Sequence, residues 1–483
     1  MRRLLLAPLL AAALAPAALA NPGLPLSHAG RWITDTHGRV VVLHGINMVY
    51  KKPPYAPDAT GFGDDDAKFL ASEGYDGVRV GVIYKAVEPM PGVYDDAYIA
   101  RIKRTVDTLG RHGVLSLVDF HQDLYNERFQ GEGWPDWAVF DDGLPAQPQN
   151  GFPANYLTMP ALQHAYDNFY ANVPAPDGTG IEDHYAAAWG HVAAAFASDR
   201  NVMGYDLYNE PWPGSEWQDC ANPGGCPVSD AKLAALYTKT IAAIRKGDTA
   251  HLVFYEPFVL FNFGGGTTLG PFGDKKLGMS FHDYCLQASS GQQACDTQDD
   301  LVFQHADAQV QRTGDTLLLT EFGATRAKDI LTGAVQRADK FMDGWLEWAY
   351  CGCQDPTTSG PGDEQALVYD TTKAPKGKNL DTGKLAILTR PHPESVSGTP
   401  TSYGYDAASR TFTLKFTTKR ADGKGSFGKG AVTEVLVPRR DYPKGYVAKV
   451  TGATVRSAKN ALRLVLASRR GAKTITVTVT PKS

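Results

Sequence analysis

Beyond its first twenty residues this chain has no apolar run long enough to cross a bilayer, so no helical membrane span is expected there. No glycine-rich phosphate fingerprint follows its first strand-like run, which removes the main support for a doubly wound nucleotide-binding sheet. No histidine stands at ligand spacing beside its six cysteines, which counts against a zinc site. No cofactor loop or nucleophilic serine motif stands out. Net charge is −4 over 483 residues, without the basic excess that nucleic acid attracts. No metal, cofactor or nucleic-acid partner is therefore expected. What is present is ordinary globular material, 43% hydrophobic and 21% charged, in a chain long enough for two or three domains.

The first twenty residues stand apart. Arg2 and Arg3 precede an apolar run from Leu4 to Leu19 that ends in Ala18-Leu19-Ala20. A basic start, an apolar middle and small residues at the end make a secretory signal, with cleavage expected after Ala20 and a secreted product. Pro8 and Pro16 interrupt the run and weaken the alternative of a membrane anchor. The even number of cysteines suits disulfides outside the cytosol. Cys220–Cys226 is the favoured pair, followed by Cys285–Cys295. Cys351-Gly352-Cys353 would form a tight ring, so cross-pairing stays open.

Charge divides the rest. From Leu388 onward there are 18 Lys and Arg against 5 Asp and Glu, a net of +13, which leaves −17 for everything before it. TFTLKFTT (411–418), AVTEVLVP (431–438), ALRLVLA (461–467) and KTITVTVT (473–480) are short, alternating and β-branched. They predict an all-β sandwich over 388–483. Its lysines and arginines read first as protection of strand edges, and second as attraction to an anionic surface.

Residues 21–387 have a different texture. Buried-strand runs recur eight times: VVLHGIN (41–47), GVRVGV (77–82), VLSLVDFH (114–121), VMGYDLYNE (202–210), HLVFYEP (251–257), LGMSFHDY (277–284), TLLLTEF (316–322) and WLEWAY (345–350). Helical patterns fall between several of them, at 64–73, 95–112, 183–198, 229–246, 299–313 and 332–342, but not between the fifth and sixth. Eight such strands alternating with helices predict an α/β chain, a (β/α)8 TIM barrel, whose C-terminal rim carries the active site. The strand ends bring Asn47, Arg79, His121 with Asp123, Asn209 with Glu210, Glu256, His282 with Tyr284, Glu321 and Trp348 to that rim.

Paired strand-end glutamates suggest hydrolysis of a glycosidic bond. One carboxyl protonates the leaving oxygen and the other attacks carbon or activates water. The two roles need different ionisation, with burial raising the acid and donors such as Tyr284 and Arg79 keeping the nucleophile charged. Spacing alone leaves Glu256 as a rival carboxylate.

Asn209-Glu210-Pro211, His282-Asp283-Tyr284 and Thr320-Glu321-Phe322-Gly323, in that order on the fourth, sixth and seventh strands, resemble glycoside hydrolase family 5. The resemblance implies Glu210 as acid/base, Glu321 as nucleophile and Asn209 on the sugar 2-hydroxyl. It also implies Arg79, His121, Tyr284 and Trp348 as supporting residues, with His282 beside them. NMVYKKPPY (47–55), VDFHQDLY (118–125), GEGWPDWA (131–138), WAYCGC (348–353) and LTRPHPESVSG (388–398) resemble its endoglycoceramidase branch. That branch implies cleavage between the oligosaccharide and ceramide of a glycosphingolipid. It also implies Lys51 (chosen over Lys52), His121 and Asp123 on the sugar next to the cut.

FVLFNFGGGTTLGPF (258–272) follows the fifth strand and would line an apolar groove for ceramide with Phe258, Phe261 and Phe263. The alternative is packing under the β-domain. The long link from Leu124 to Asp183 would build the sugar side, with WPDWAVFDD and YDNFYAN offering aromatic plates. A monomer with peripheral membrane or micelle contact is expected. The rival readings are an endoglycanase of cellulase or mannanase type, and a secreted binding protein without catalysis.

Overall fold

Eight parallel strands close into a barrel: His44–Met48, Gly77–Ile83, Leu115–His121, Val202–Asp206, Leu252–Tyr255, Leu277–Asp283, Thr316–Phe322 and Trp345–Glu347. Each pairs with the next, and the eighth returns to the first at Trp345 and His44. This computed structural model describes residues 22–358 and 363–482, so the expected signal segment up to Ala20 lies outside the described residues. The helical patterns fall on Asp64–Glu73, Asp96–Arg111, Ile181–Phe196, Pro227–Gly247, Gln292–Thr313 and Lys328–Phe341. Between the fifth and sixth strands only the short 3-10 turn Val259–Phe263 forms.

The third strand, LSLVDFH, shows how one segment both packs and serves the site. Val118 and Phe120 point outward into the cluster shared with the helices. Leu115 and Leu117 point inward and join Met203, Leu252, Phe254, Leu318 and Leu346 in an apolar plug. Two residues further along the same inner face stand Asp119 and His121, because side chains on a strand repeat every second residue. The barrel interior is therefore apolar toward its N-terminal end and charged toward its C-terminal end.

The seventh strand breaks that rule where it matters. Leu319 pairs with Phe281 and both pack outward, so Glu321 two residues later would also face the helices. A register shift between Leu319 and Glu321 sets Glu321 opposite His282 instead. An extra residue in one strand turns the following side chains to the other face. That bulge delivers Glu321 to the interior.

The C-terminal part is an all-antiparallel sandwich. Its four-stranded sheet runs Thr399–Asp406, Thr411–Thr417, Thr474–Pro481, Tyr446–Thr451. The other sheet has seven strands, and its N-terminal members come from the opposite end of the chain: Ser27–Ala29, Trp32–Thr34 and Val40–Val41, the last paired with His392–Val396. The expected division at residue 388 follows chain order, whereas this sheet draws on both sides of it. Phe412, Leu414 and Phe416 interleave with Ile475, Val477 and Val479 in the sandwich core. Polar bonds join it to the barrel's N-terminal side: His392 Nε2 lies 3.0 Å from Asp76 Oδ2 in a buried pair, and Arg31 Nη2 lies 2.5 Å from Asp343 Oδ1 in a half-buried one. The sandwich thus sits away from the rim that carries the site. Segment 258–272 is not packed under it; its bonds run to Pro211, Asn222, Asp230 and the helix Gln292–Thr313.

The cysteines join as Cys220–Cys226, Cys285–Cys295 and Cys351–Cys353, so the open alternative of cross-pairing is not adopted.

Candidate active site

The regular fourth strand ends at Asp206, four residues before Glu210, rather than at Glu210 itself. Its backbone continues as an irregular ladder: Leu207 N–H donates to Phe254 O at 3.0 Å and Asn209 N–H to Phe120 O at 3.1 Å. Glu210 then turns into the left-handed region, at φ 44°. Few residues other than glycine adopt that conformation, so neighbours must hold it. Glu256 does so by accepting the Glu210 N–H on Oε2 at 2.9 Å. Gln122 Nε2 donates to the carbonyls of Asn209 and Glu210 at 2.9 and 3.1 Å.

Arg79 organises the floor. It lies in the body of the second strand rather than at its end, and it reaches the rim through its length. Its guanidinium bonds Asp206 at 2.9 Å, Asp119 at 2.9 Å, Glu256 at 2.9 Å, Asn209 Oδ1 at 2.9 Å and Glu321 Oε1 at 2.5 Å. Burial opposes its charge, but the Asp119, Asp206, Glu321 and Glu256 carboxylates outweigh burial and hold Arg79 well above the ordinary arginine value. The rival carboxylate Glu256 is thereby placed: it is buried, spent on Arg79 and the Glu210 backbone, and pushed up to about 8 mainly by that burial.

Glu210 and Glu321 face each other across His282, with one oxygen of each carboxylate and a ring nitrogen all within 4.8 Å. Glu210 Oε1 accepts from His282 Nδ1 at 2.8 Å and from Asn262 Nδ2 at 2.7 Å. Glu321 accepts from Arg79 and, on Oε2, from Tyr284 OH at 2.9 Å. Burial raises the Glu321 pKa, and His282 and Arg79 reduce that rise without cancelling it, so the expected lowering of the nucleophile by its donors is outweighed by burial. For His282, burial opposes the charge, yet Glu256, Glu321 and the bond to Glu210 hold it well above the usual histidine value. Its ring nitrogens lie 2.8 Å from Glu210, 3.3 Å from Glu256 and 3.6 Å from Glu321.

A second cluster adjoins the first. Lys51 is buried, with Nζ at 2.6 Å from Asp123 Oδ2, 2.8 Å from Thr357 Oγ1 and 3.2 Å from Asp355 Oδ1. Lys52 points elsewhere, to Gln354. Burial would raise Asp123, but Lys51 and His121 bring it down to about 2. His121 Nδ1 sits 2.8 Å from Asp119, whose charge overcomes burial and pushes His121 up to about 9. Trp348 lies over this cluster, stacked on His121 with centroids 5.1 Å apart and with Lys51 Nζ 4.6 Å from its ring centre. The segments that follow Lys51 and Asp123 in the chain also wall an open groove of about 1080 Å³, lined by Tyr55, Lys85, Asn126, Glu127, Asp136 and Gln147 and by no member of either cluster.

Both Glu210–His282–Glu321 and His121–Asp123–Glu132 are compact enough to hold an ion. In the first, His282 Nδ1 already lies 2.8 Å from Glu210 Oε1, which also accepts from Asn262. In the second, Lys51 and Thr357 already occupy Asp123 Oδ2.

Several expected contributors lie elsewhere. Phe258 and Phe261 are buried, Phe258 against Tyr170 and Phe261 near His305, so they underlie the loop and do not line a groove; Phe263 is half-buried. Trp134, Tyr166 and Phe169 from the long third link are buried with Tyr125 and Tyr185 in an aromatic stack, not displayed as plates. A link of that length must bury its own apolar mass before it can present any. Sequence reasoning missed Gln122, which lies inside VDFHQDLY between His121 and Asp123, Asn262, which lies in a segment read only for its apolar residues, and Thr357 and Asp355, which carry no motif.

The raised groups give a sign for stability against pH. His121 titrates near 6.5 when unfolded and about 9 when folded, so its contribution is complete below pH 6.5 and lost as pH rises to about 9. Glu256, raised to about 8, acts in the same direction, because the folded state retains its proton longer. Tm is expected to fall between pH 6.5 and 9. A Tm series in a single ionic strength checks this; a flat or rising profile refutes it.

A model of the cellulase family, glycosyl hydrolase family 5, matches residues 34–352, and one of the glycoside hydrolase family 5 C-terminal domain matches residues 390–479. The chain is 31% identical over 478 residues to endoglycoceramidase I of Rhodococcus hoagii, covering 95% of this chain and 89% of that protein. Endo-glycoceramidase II from Rhodococcus sp. superposes with a TM-score of 0.76 as its ganglioside GM3 complex, at 27% identity over 94% of this chain and 99% of that one. Its lactosyl-enzyme intermediate superposes with a TM-score of 0.75 at 27% identity, over 93% and 99% of the two chains.

Proposed function

Because this chain belongs to glycoside hydrolase family 5, we propose that it is a secreted retaining hydrolase that cuts the β-glycosidic bond between the oligosaccharide and ceramide of glycosphingolipids. The observation that carries the reading is the facing pair Glu210 and Glu321, whose nearest oxygens, one from each carboxyl, lie within 4.8 Å. Retaining enzymes keep their carboxyls about 5–5.5 Å apart, whereas inverting ones need about 6.5–9.5 Å for an intervening water. Glu321 attacks the anomeric carbon while Glu210 protonates the departing oxygen. Water activated by Glu210 then releases the sugar. A relative solved as a lactosyl-enzyme intermediate supports this two-step course.

The substrate class rests on relatives that are endoglycoceramidases, one of them solved with ganglioside GM3. Sugar would occupy the side of Lys51, His121 and Asp123 and extend into the groove by Tyr55. The lipid leaves on the acid/base side. The connections after the fourth, fifth and sixth strands carry exposed Val228 and Leu286, each 70% accessible, and half-buried Leu260 and Phe263. Each buried methylene of an acyl chain is worth about 0.8 kcal/mol, so even partial contact recruits lipid. These side chains take over the role expected of Phe258 and Phe261, and they would meet a micelle or membrane surface.

Leu286→Ser with Phe263→Ser is expected to lower kcat/KM on glycolipid about thirtyfold and to leave a soluble aryl glycoside within about twofold, since two or three lost methylene contacts amount to about 2 kcal/mol. Equal losses on both would discard the lipid rim. The function itself is tested by incubating purified protein with neutral and sialylated glycosphingolipids in mild detergent, followed by mass spectrometry. Free oligosaccharide together with intact ceramide supports the proposal. Cleavage of cello- or manno-oligosaccharides alone would replace it with an endoglycanase.

A further inference from the structure

Asn262 is neither at a strand end nor in a sequence motif. It sits in the turn Val259–Phe263, 3% exposed, with Nδ2 2.7 Å from Glu210 Oε1. The turn is tied down on three sides. Val259 N–H donates to Pro211 O at 2.9 Å, immediately after Glu210. Gly264 closes the turn at φ +96°, where a side chain would be strained. Gln298 Nε2 donates to Tyr284 O at 2.8 Å and reaches Asn262 O at 3.4 Å, linking the turn to the loop after the sixth strand. The amide is thus presented to Glu210 by the fold and not by chance rotation.

Its effect on Glu210 is specific to one oxygen. Oε1 receives two donors, His282 Nδ1 at 2.8 Å and Asn262 Nδ2. Among the described residues no group donates to Oε2. A carboxylic acid whose one oxygen accepts two hydrogen bonds carries its proton on the other. The proton that must reach the glycosidic oxygen is then held on Oε2.

We propose that Asn262 is a positioning residue for the acid/base, fixing the Glu210 carboxyl so that Oε2 delivers the proton to the leaving group. This rests on the reading of Glu210 as acid/base. In that step the C1–O bond breaks, its electron pair goes to the aglycone oxygen, the Glu210 proton joins that oxygen, and a Glu321 oxygen bonds to C1. Asn262 enters none of these bonds. It limits the orientations that Glu210 samples, and a misplacement of about 1 Å costs on the order of 100-fold in rate.

The test uses Asn262→Leu and Asn262→Asp, both close in shape and both lacking the donor, with Glu210→Ala and wild type as references. Substrates are a glycosphingolipid and an aryl glycoside with a strongly acidic phenol as leaving group, measured on the first turnover. Loss of acid positioning affects only leaving groups that need a proton. The expected result is a 10- to 100-fold fall in kcat on the lipid at little-changed KM, with the activated substrate within about threefold of wild type. Thermal melts identify a variant that fails to fold, and the second variant then decides. Equal losses on both substrates, or no loss on the lipid, would overturn the proposal while a leaving-group-dependent Glu210→Ala keeps the acid/base reading. A Glu210→Ala without leaving-group dependence would remove that reading, and this one with it.

Discussion

Glu321→Ala is expected to abolish turnover of every substrate, lipid or activated aryl glycoside, by at least about 10⁴-fold, the scale on which a lost nucleophile acts. A good leaving group does not help, because the bond to C1 has no atom to form from. The effect is distinguishable from unfolding. Glu321 is held by Arg79 and Tyr284, and removing its carboxylate leaves Arg79 with Asp119, Asp206 and Glu256 as counter-charges. The folded protein is therefore expected to survive, with circular dichroism unchanged. In wild type, an activated 2-deoxy-2-fluoro glycoside should add its sugar mass to the peptide that contains Glu321. Label on another residue, or residual lipid turnover by Glu321→Ala, would remove the nucleophile assignment.

Glu210→Ala is expected to divide the substrates instead, with the effects that follow from a lost acid/base. Glycosphingolipid turnover falls by about 10²–10⁴-fold, the usual contribution of general acid catalysis. The first step on an activated aryl glycoside is retained, because such a phenol leaves without a proton. The second step lacks its base, so phenol release shows a burst and the glycosyl-enzyme accumulates. Azide needs no base and should restore the steady state while appearing in the sugar product. A Glu210→Ala protein that handles lipid normally, or loses both substrates equally without a burst, would end the acid/base assignment.

The two results share an electrostatic frame. Arg79 and His282 bring cationic charge to a cluster containing Asp119, Asp206, Glu210, Glu256 and Glu321. An isolated buried carboxylate is costly, so these groups persist only as a network in which each donor serves several acceptors. That is why Glu256, with no free face toward the cleft, still matters. It clamps the Glu210 backbone and completes the arginine's ring of acceptors.

Strand count and order were legible because each buried parallel strand is a near-continuous apolar run bounded by polar residues. The helices were legible for the same reason at a different period. The ends of those runs exposed Glu210, His282 and Glu321, because a carboxylate or imidazole after a buried run has nowhere to pack. Residues in loops gave no such signal. Asn262 and Gln122 act through single bonds to Glu210 whose existence depends on how three loops meet. Phe258 and Phe261 look like exposed apolar residues in a glycine-rich segment, and only packing shows that they lie beneath it.

Periodicity in the amino-acid sequence by itself determined the barrel and the β-domain, since it requires no distant partner, whereas Glu210, Glu321 and Arg79 stood out from other strand-end polar groups, Glu256 among them, through the resemblance of their motifs to the family. Tertiary structure decided which oxygen meets which donor. It placed residues 27–41 in the sheet of the C-terminal domain, because strand pairing is satisfied by whichever edge lies adjacent in space. It turned Glu321 inward through a register shift against the sixth strand, a choice made by the pair of strands together. It held Glu210 at a positive φ through the carboxylate of Glu256, 46 residues away. Each of these depends on contacts between segments far apart in the chain, where local sequence carries no information about the partner.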